Sequence, residues 1–155
     1  MTRSATVTAA GALLFLALGN PAAAQQFYEY AAKIICGRPD SSLVTLAPQT
    51  YATTINVRVP TVSRTAIIAK RLAFTVPPGH QRRGEVREIA VDTLREGEAL
   101  VVDCLDLAGR KVGTSFEGFL VLKSTVSLDV TAVYSVPGGI DVEQIRERVI
   151  RPVVQ

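Results

Sequence analysis

Val126-Ser-Leu-Asp-Val-Thr-Ala-Val-Tyr-Ser-Val136 alternates without a break. Val126, Leu128, Val130, Ala132, Tyr134 and Val136 fall on one side of an extended chain, with Ser127, Asp129, Thr131, Val133 and Ser135 on the other. A period of two marks a β-strand with one face buried and one in water, the pattern of antiparallel sheets. Upstream, Tyr51, Thr53, Ile55, Val57 and Val59 form one face of a second strand, with Ala52, Thr54, Asn56 and Arg58 opposite. Ile68, Leu72, Phe74 and Val76 form another, with Arg71 and Thr75 outward. Tyr28, Tyr30, Ala32, Ile34 and Cys36 share one phase near the start.

Two segments depart from this rule. Phe119-Leu-Val-Leu122 is apolar on both faces and reads as a central strand covered on both sides. Glu85 to Leu94 is more polar and reads as an edge, where charge discourages unwanted pairing. Turn signals punctuate the chain at Pro60-Thr-Val-Ser63, Pro77-Pro-Gly-His-Gln-Arg-Arg-Gly84, Arg95-Glu-Gly97, Asp106-Leu-Ala-Gly-Arg-Lys-Val-Gly113 and Pro137-Gly-Gly139. Seven or eight strands so punctuated give an all-β fold, an antiparallel immunoglobulin-like β-sandwich. The absence of Trp separates it from antibody domains, where Trp packs on the core disulfide. Ile140 to Val154 carries Val142, Ile145 and Val149 at helical spacing, with Glu147 and Arg151 placed for an i,i+4 pair. The Pro-Gly-Gly turn before it favours a charged terminal edge strand instead.

The N-terminus has the three parts of a secretory signal peptide. Arg3 precedes an apolar run from Ala9 to Leu18, Asn20-Pro21 breaks it, and Ala22-Ala-Ala24 supplies small residues before Gln25. The run is about half of the roughly 20 residues a membrane-spanning helix needs, so no transmembrane segment is expected after cleavage. Residues 1–24 are therefore read as leader and 25–155 as one domain, periplasmic or secreted. Export bears on the two cysteines, because an oxidising compartment favours pairing Cys36 with Cys104. Cys104 is in phase with Leu100 and Val102, so both thiols are expected to face one core. A bridge closing so long a loop would constrain the unfolded chain by roughly 4 kcal/mol.

Tyr51-Ala-Thr-Thr-Ile-Asn-Val57, Phe116-Glu-Gly-Phe-Leu-Val-Leu-Lys-Ser124 and Leu128-Asp-Val-Thr-Ala-Val-Tyr134 resemble segments of an uncharacterised family of bacterial exported small β-sandwich proteins. The family also has a Tyr-rich first strand ending in Cys-Gly, here Tyr28-Glu-Tyr-Ala-Ala-Lys-Ile-Ile-Cys-Gly37. The resemblance follows the same order along most of residues 25–155 and departs at Arg58-Val-Pro60. It implies a bacterial exported sandwich domain and brings no activity with it.

Residue chemistry points away from catalysis. There is no Gly-x-Ser-x-Gly elbow, and the one imidazole is His80, in a hairpin-tip loop. Lys123 and Ser124 are strand neighbours and point to opposite faces. Asp103 and Asp106 flank Cys104, and Glu96 and Glu98 straddle Gly97, without the density of a calcium loop or the facing geometry of a glycosidase pair. Two Cys and one His do not make a zinc set, and no phosphate loop or dinucleotide fingerprint is present. No catalytic, cofactor or metal residue is assigned.

A formal charge of +3 is too small for a nucleic-acid binder. The one concentrated positive patch is the loop bearing His80, Arg82, Arg83 and, just beyond, Arg87, with Arg110-Lys111 in another loop. Such a patch suits an acidic envelope partner, a glycan or a lipid phosphate. The expected function is a non-catalytic binding module with its ligand undefined. The alternative is a structural subunit that self-associates through strand edges, and a hydrolase ranks behind both. Intact-mass measurement of protein recovered from expressing cells is expected to show a chain beginning at Gln25; retention of Met1 to Ala24 would overturn export.

Overall fold

The computed structural model describes residues 25–39, 46–61, 64–76, 82–108 and 115–151. The leader read at residues 1–24 lies outside them. Among the described residues there are nine strands and one short helix: β1 (Phe27–Cys36), β2 (Ala52–Arg58), β3 (Ala66–Phe74), β4 (Val86–Leu94), β5 (Ala99–Asp103), α1 (Cys104–Ala108), β6 (Phe116–Ser124), β7 (Asp129–Val136), β8 (Gly139–Gln144) and β9 (Arg148–Ile150). All strand pairings are antiparallel. One sheet runs in the order β4-β3-β6-β1-β9 and the other β5-β2-β7-β8.

The two sheets share one core, and alternation decides what enters it. Tyr30, Ala32, Ile34 and Cys36 of β1, Ile68 and Leu72 of β3, and Leu120 and Leu122 of β6 are buried from the first sheet. Ile55 and Val57 of β2, Val102 of β5, and Val130 and Ala132 of β7 meet them from the second. Each such Val, Leu or Ile contributes about 1.5–3 kcal/mol on leaving water, which fixes which face of each strand turns inward. The charged, more polar strand β4 stands at the sheet edge, as its composition suggests.

Three expectations are corrected. The strands number nine rather than seven or eight, because the C-terminal segment is neither a helix nor a single edge strand. It forms β8 beside β7, crosses between the sheets at the buried Ile145, and continues as β9 beside β1. Residues 152–155 of that segment lie outside the described residues. Strand β6 is central but covered on one face only: Leu120 and Leu122 are buried while Phe119 is exposed and Val121 half-buried. Cys104 begins α1 instead of ending a strand. Asp103 caps that helix, its Oδ1 accepting from the N–H groups of Leu105 (2.8 Å) and Asp106 (3.0 Å), while Asp106 Oδ2 accepts from Asp103 N (3.0 Å). This is a reciprocal capping box written Asp-x-x-Asp, and it engages both carboxylates weighed above as cation ligands.

Polar groups close the core at the crossover. Tyr30 Oη accepts from the buried Leu128 N–H (2.6 Å) and donates to Glu147 Oε2 (3.0 Å), which also accepts from Ser127 Oγ (2.6 Å). A hydroxyl inside the core is thereby satisfied twice, and the β8–β9 crossover is tied to the β6–β7 connection.

Gly118 of β6 shows how closely the strands approach. It pairs with Ile34 on one side and Phe74 on the other, and a Cβ there would lie 2.4 Å from the Ala73 carbonyl oxygen. That oxygen belongs to the backbone of a paired strand and cannot rotate away. Gly118→Ala is therefore expected to lower unfolding stability by about 3 kcal/mol, the upper part of the range for overpacking, as read by denaturant melts. A change within about 0.5 kcal/mol would show that β3 and β6 yield.

Candidate functional site

A clasp and an open trough sit side by side where the C-terminal end of β1 passes over the second sheet. Cys36 and Cys104 are joined by a disulfide, with their Cα atoms 5.7 Å apart and a sequence separation of 68. The bond ties the last residue of β1 to the residue that follows β5, and so links the two sheets. Thr53, buried in β2, adds a second tie: its Oγ1 donates to Ile35 O (2.9 Å) and accepts from Ile35 N (3.0 Å). A side-chain hydroxyl thus occupies the backbone groups that Ile35 would otherwise offer to a further strand. Gly37 and Tyr51 complete the clasp with reciprocal backbone bonds of 2.9 Å.

Beside the clasp a pocket of about 280 Å³ opens between Ile35 of β1, Tyr51 and Thr53, Tyr134 and Val136 of β7, and Ile140 of β8. Its walls are apolar apart from Tyr51, Tyr134, Thr53 and Asp141. The pocket exists because β8 extends only the second sheet. In the first sheet β9 covers β1 from Phe27 to Glu29 and stops short of Ile35. Tyr134 takes the core phase of β7 but lies beyond the strands that would cover it, so it stays half-buried. A more polar hollow of about 450 Å³ continues along the same side, past Ala31, Glu143 and Glu147.

The strand register sets the electrostatics of this side. Asp141 pairs with Tyr134 and Glu143 with Ala132, so both carboxylates share the inward phase of β7 and line the trough. Val142, opposite Val133, takes the outer face and is 61% exposed, while Ile140, opposite Ser135 and 75% exposed, borders the pocket at its rim. Tyr134 Oη donates to Glu143 Oε2 (3.1 Å). Burial first, then the Glu143 carboxylate and the charge of Asp141, push the Tyr134 phenol up to about 12. Burial likewise raises the phenol of Tyr30. Chemically the trough suits an apolar group ending in a cation or a hydrogen-bond donor.

The residues singled out from sequence fall elsewhere. Arg82 and Arg83 are exposed at the start of the segment leading into β4, at the end of the molecule where β3 closes on β6. Arg87, just beyond them, is exposed as well. Its guanidinium stands 4.9 Å from the centre of the Phe74 ring, and its Nε is 3.7 Å from Glu85 Oε1. His80 and Arg110-Lys111 lie outside the described residues. Lys123 and Ser124 take opposite faces: Lys123 Nζ covers the Phe27 ring, while Ser124 is buried and its Oγ accepts from Val126 N. Glu98 Oε2 accepts from Arg95 N (2.7 Å) within its own turn. Among the described residues no three His, Cys, Asp or Glu side chains are grouped as a metal site would require. The trough itself was not legible in sequence. Alternation assigns Tyr134 to the inner face, but only the unequal reach of β8 and β9 leaves it uncovered.

Because the Tyr134 pKa is raised on folding, its stabilising contribution is complete below its ordinary value near 10 and is lost as pH rises through about 12. In a near-UV absorbance titration Tyr134 is expected to ionise near pH 12, and Glu143→Gln should bring that step down while leaving Tyr30 late. An unchanged step would remove Glu143 as a cause.

No protein-family model matches the chain, and neither a curated protein nor a solved structure was found to match it.

Proposed function

We propose that the protein is an exported, non-catalytic binding module of the bacterial envelope or extracellular space, built on an immunoglobulin-like β-sandwich, and that it binds through the trough beside β8. The strand order supports the sandwich reading. Sequence β9-β1-β6-β3 facing β2-β7-β8 has the connectivity of an immunoglobulin A-B-E-D sheet against C-F-G, with β9 taking the place of the first strand. Strands β4 and β5 then extend one edge of each sheet. The bridge differs from the immunoglobulin B–F disulfide, since it runs from β1 to the residue after β5.

Export is supported by the N-terminal leader pattern and by the disulfide, a bond that persists in oxidising compartments. Among the described residues no helix is long and apolar enough to cross a membrane. The observation that carries the binding reading is the apolar pocket with two tyrosines and one carboxylate at its lip, a concave surface with few, placed polar groups. The exposed Arg82 and Arg83 offer a separate contact for an acidic glycan or lipid phosphate. A second reading, a subunit that assembles through strand edges, is favoured by the six-residue exposed edge of β8.

Titration of the isotope-labelled mature domain with n-hexylamine, an apolar stem with a cationic tip, tests the site by amide chemical shifts. Saturable shifts are expected at Ile35, Thr53, Tyr134 and Ile140, and they should be lost in Val136→Arg, which fills the pocket mouth. Shifts scattered over the surface, or shifts retained in Val136→Arg, would overturn the trough as the binding site.

A further inference from the structure

Among the described residues each sheet has two edges, and three of the four are protected. Strand β4 is broken by a register shift opposite Lys70 and Arg71 and carries Arg87, Glu88 and Asp92. Strand β5 has five residues and runs straight into α1, and β9 has three. Bulges, charge and short length are the usual devices against unwanted strand addition. Strand β8 has none of the geometric ones: it is six residues long and keeps one register with β7 from Gly139 to Gln144.

The orientation of its free groups follows from the hairpin. Val136 and Gly139 pair across the Pro137-Gly138 turn, with Gly138 at φ +90°, and Ile145 N donates to Val130 O (2.9 Å). The odd-numbered residues of β8 therefore bond to β7, and the backbone groups of Ile140, Val142 and Gln144 point away from the sheet. One of them is occupied for now: Asp141 Oδ1 accepts from the Val142 N–H at 2.9 Å. A strand added here would displace that carboxylate, and a cation beside Asp141 would then take it up.

We propose that β8 accepts an extended peptide in which basic and apolar residues alternate. Its basic side chains lie on the trough side against Asp141 and Glu143, and its apolar ones lie against Ile140 and Val142. Backbone bonding supplies affinity, and the two-faced pattern of β8 supplies selectivity. A second copy of the chain is the poorer occupant. Two antiparallel β8 strands centred on Val142 would set Asp141 of each opposite Glu143 of the other, and like charges directly opposite repel. The proposal rests on the binding reading above and names the partner class for the same site.

The probe is an acetylated, amidated six-residue peptide alternating Val and Lys, added to the labelled mature domain. A Val/Glu counterpart, n-hexylamine and the protein alone are run in parallel. The Val/Lys peptide is expected to bind saturably and to slow amide exchange at Ile140, Val142 and Gln144 at least tenfold. The Val/Glu peptide should do neither. The double variant Asp141→Asn, Glu143→Gln, which removes charge at nearly constant shape, should weaken binding at least tenfold, and added salt should weaken it too. Equal binding of both peptides, or binding without slowed exchange on β8, would overturn the proposal. So would concentration-dependent protection of β8 in the protein alone, which would make a second copy the occupant. If n-hexylamine binds the trough and the Val/Lys peptide does not, the peptide assignment fails while the binding reading stands; if the amine also fails, both fall.

Discussion

The clasp formed by Cys36–Cys104 and Thr53 is the constraint on which the arrangement of the two sheets depends. Facing sheets held only by apolar burial can slide, because the hydrophobic effect has no direction. Directional bonds remove that freedom. The disulfide ties β1 to the far edge of the second sheet, and the Thr53 hydroxyl saturates both backbone groups of Ile35. The Tyr30–Glu147–Ser127 group does the same nearer the β8–β9 crossover. Between these ties the core is apolar, which suits a chain without Trp whose buried volume comes mainly from Val, Leu and Ile.

The same constraint produces the trough. Thr53 satisfies Ile35 from the side, so no strand needs to continue the first sheet past β9, and the second sheet reaches further with β8. The gap exposes side chains that alternation had turned inward, Tyr134 above all. Its phenol is then stabilised by burial and by Glu143, a residue that belongs to the edge and not to the core. An open trough and a free strand edge thus arise from one mismatch in sheet width.

Local chemistry explains several carboxylates that a sequence reading weighs as functional. Asp103 and Asp106 serve a five-residue helix as reciprocal caps, and Glu98 holds a turn. Arg87, still exposed, stacks its guanidinium over the Phe74 ring and approaches Glu85, while Arg82 and Arg83 beside it are exposed. Each of these is a short-range use of a charged group, and such uses leave little signature beyond three-residue spacings like Asp-x-x-Asp.

The sequence by itself determined the all-β class, the inner faces of β1, β2, β3 and β7, the edge position of Glu85 to Leu94 and the pairing of the two cysteines. All of these follow from period-two burial and from the shared phase of Cys36 with the core of β1. Tertiary structure decided what periodicity cannot carry. Phe119-Leu-Val-Leu122 looks covered on both faces, yet among the described residues no layer packs on the outer side of β6, and Phe119 stays exposed. Val142, Ile145 and Val149 fall at helical spacing, although the Pro-Gly-Gly turn before them favours one edge strand. They became β8, a crossing and β9 because Ile145 could be buried only between the sheets, bonded to Val130, while its neighbours found open edges on both. The trough likewise depends on how far each sheet extends, a relation between strands distant in the chain that no local pattern encodes.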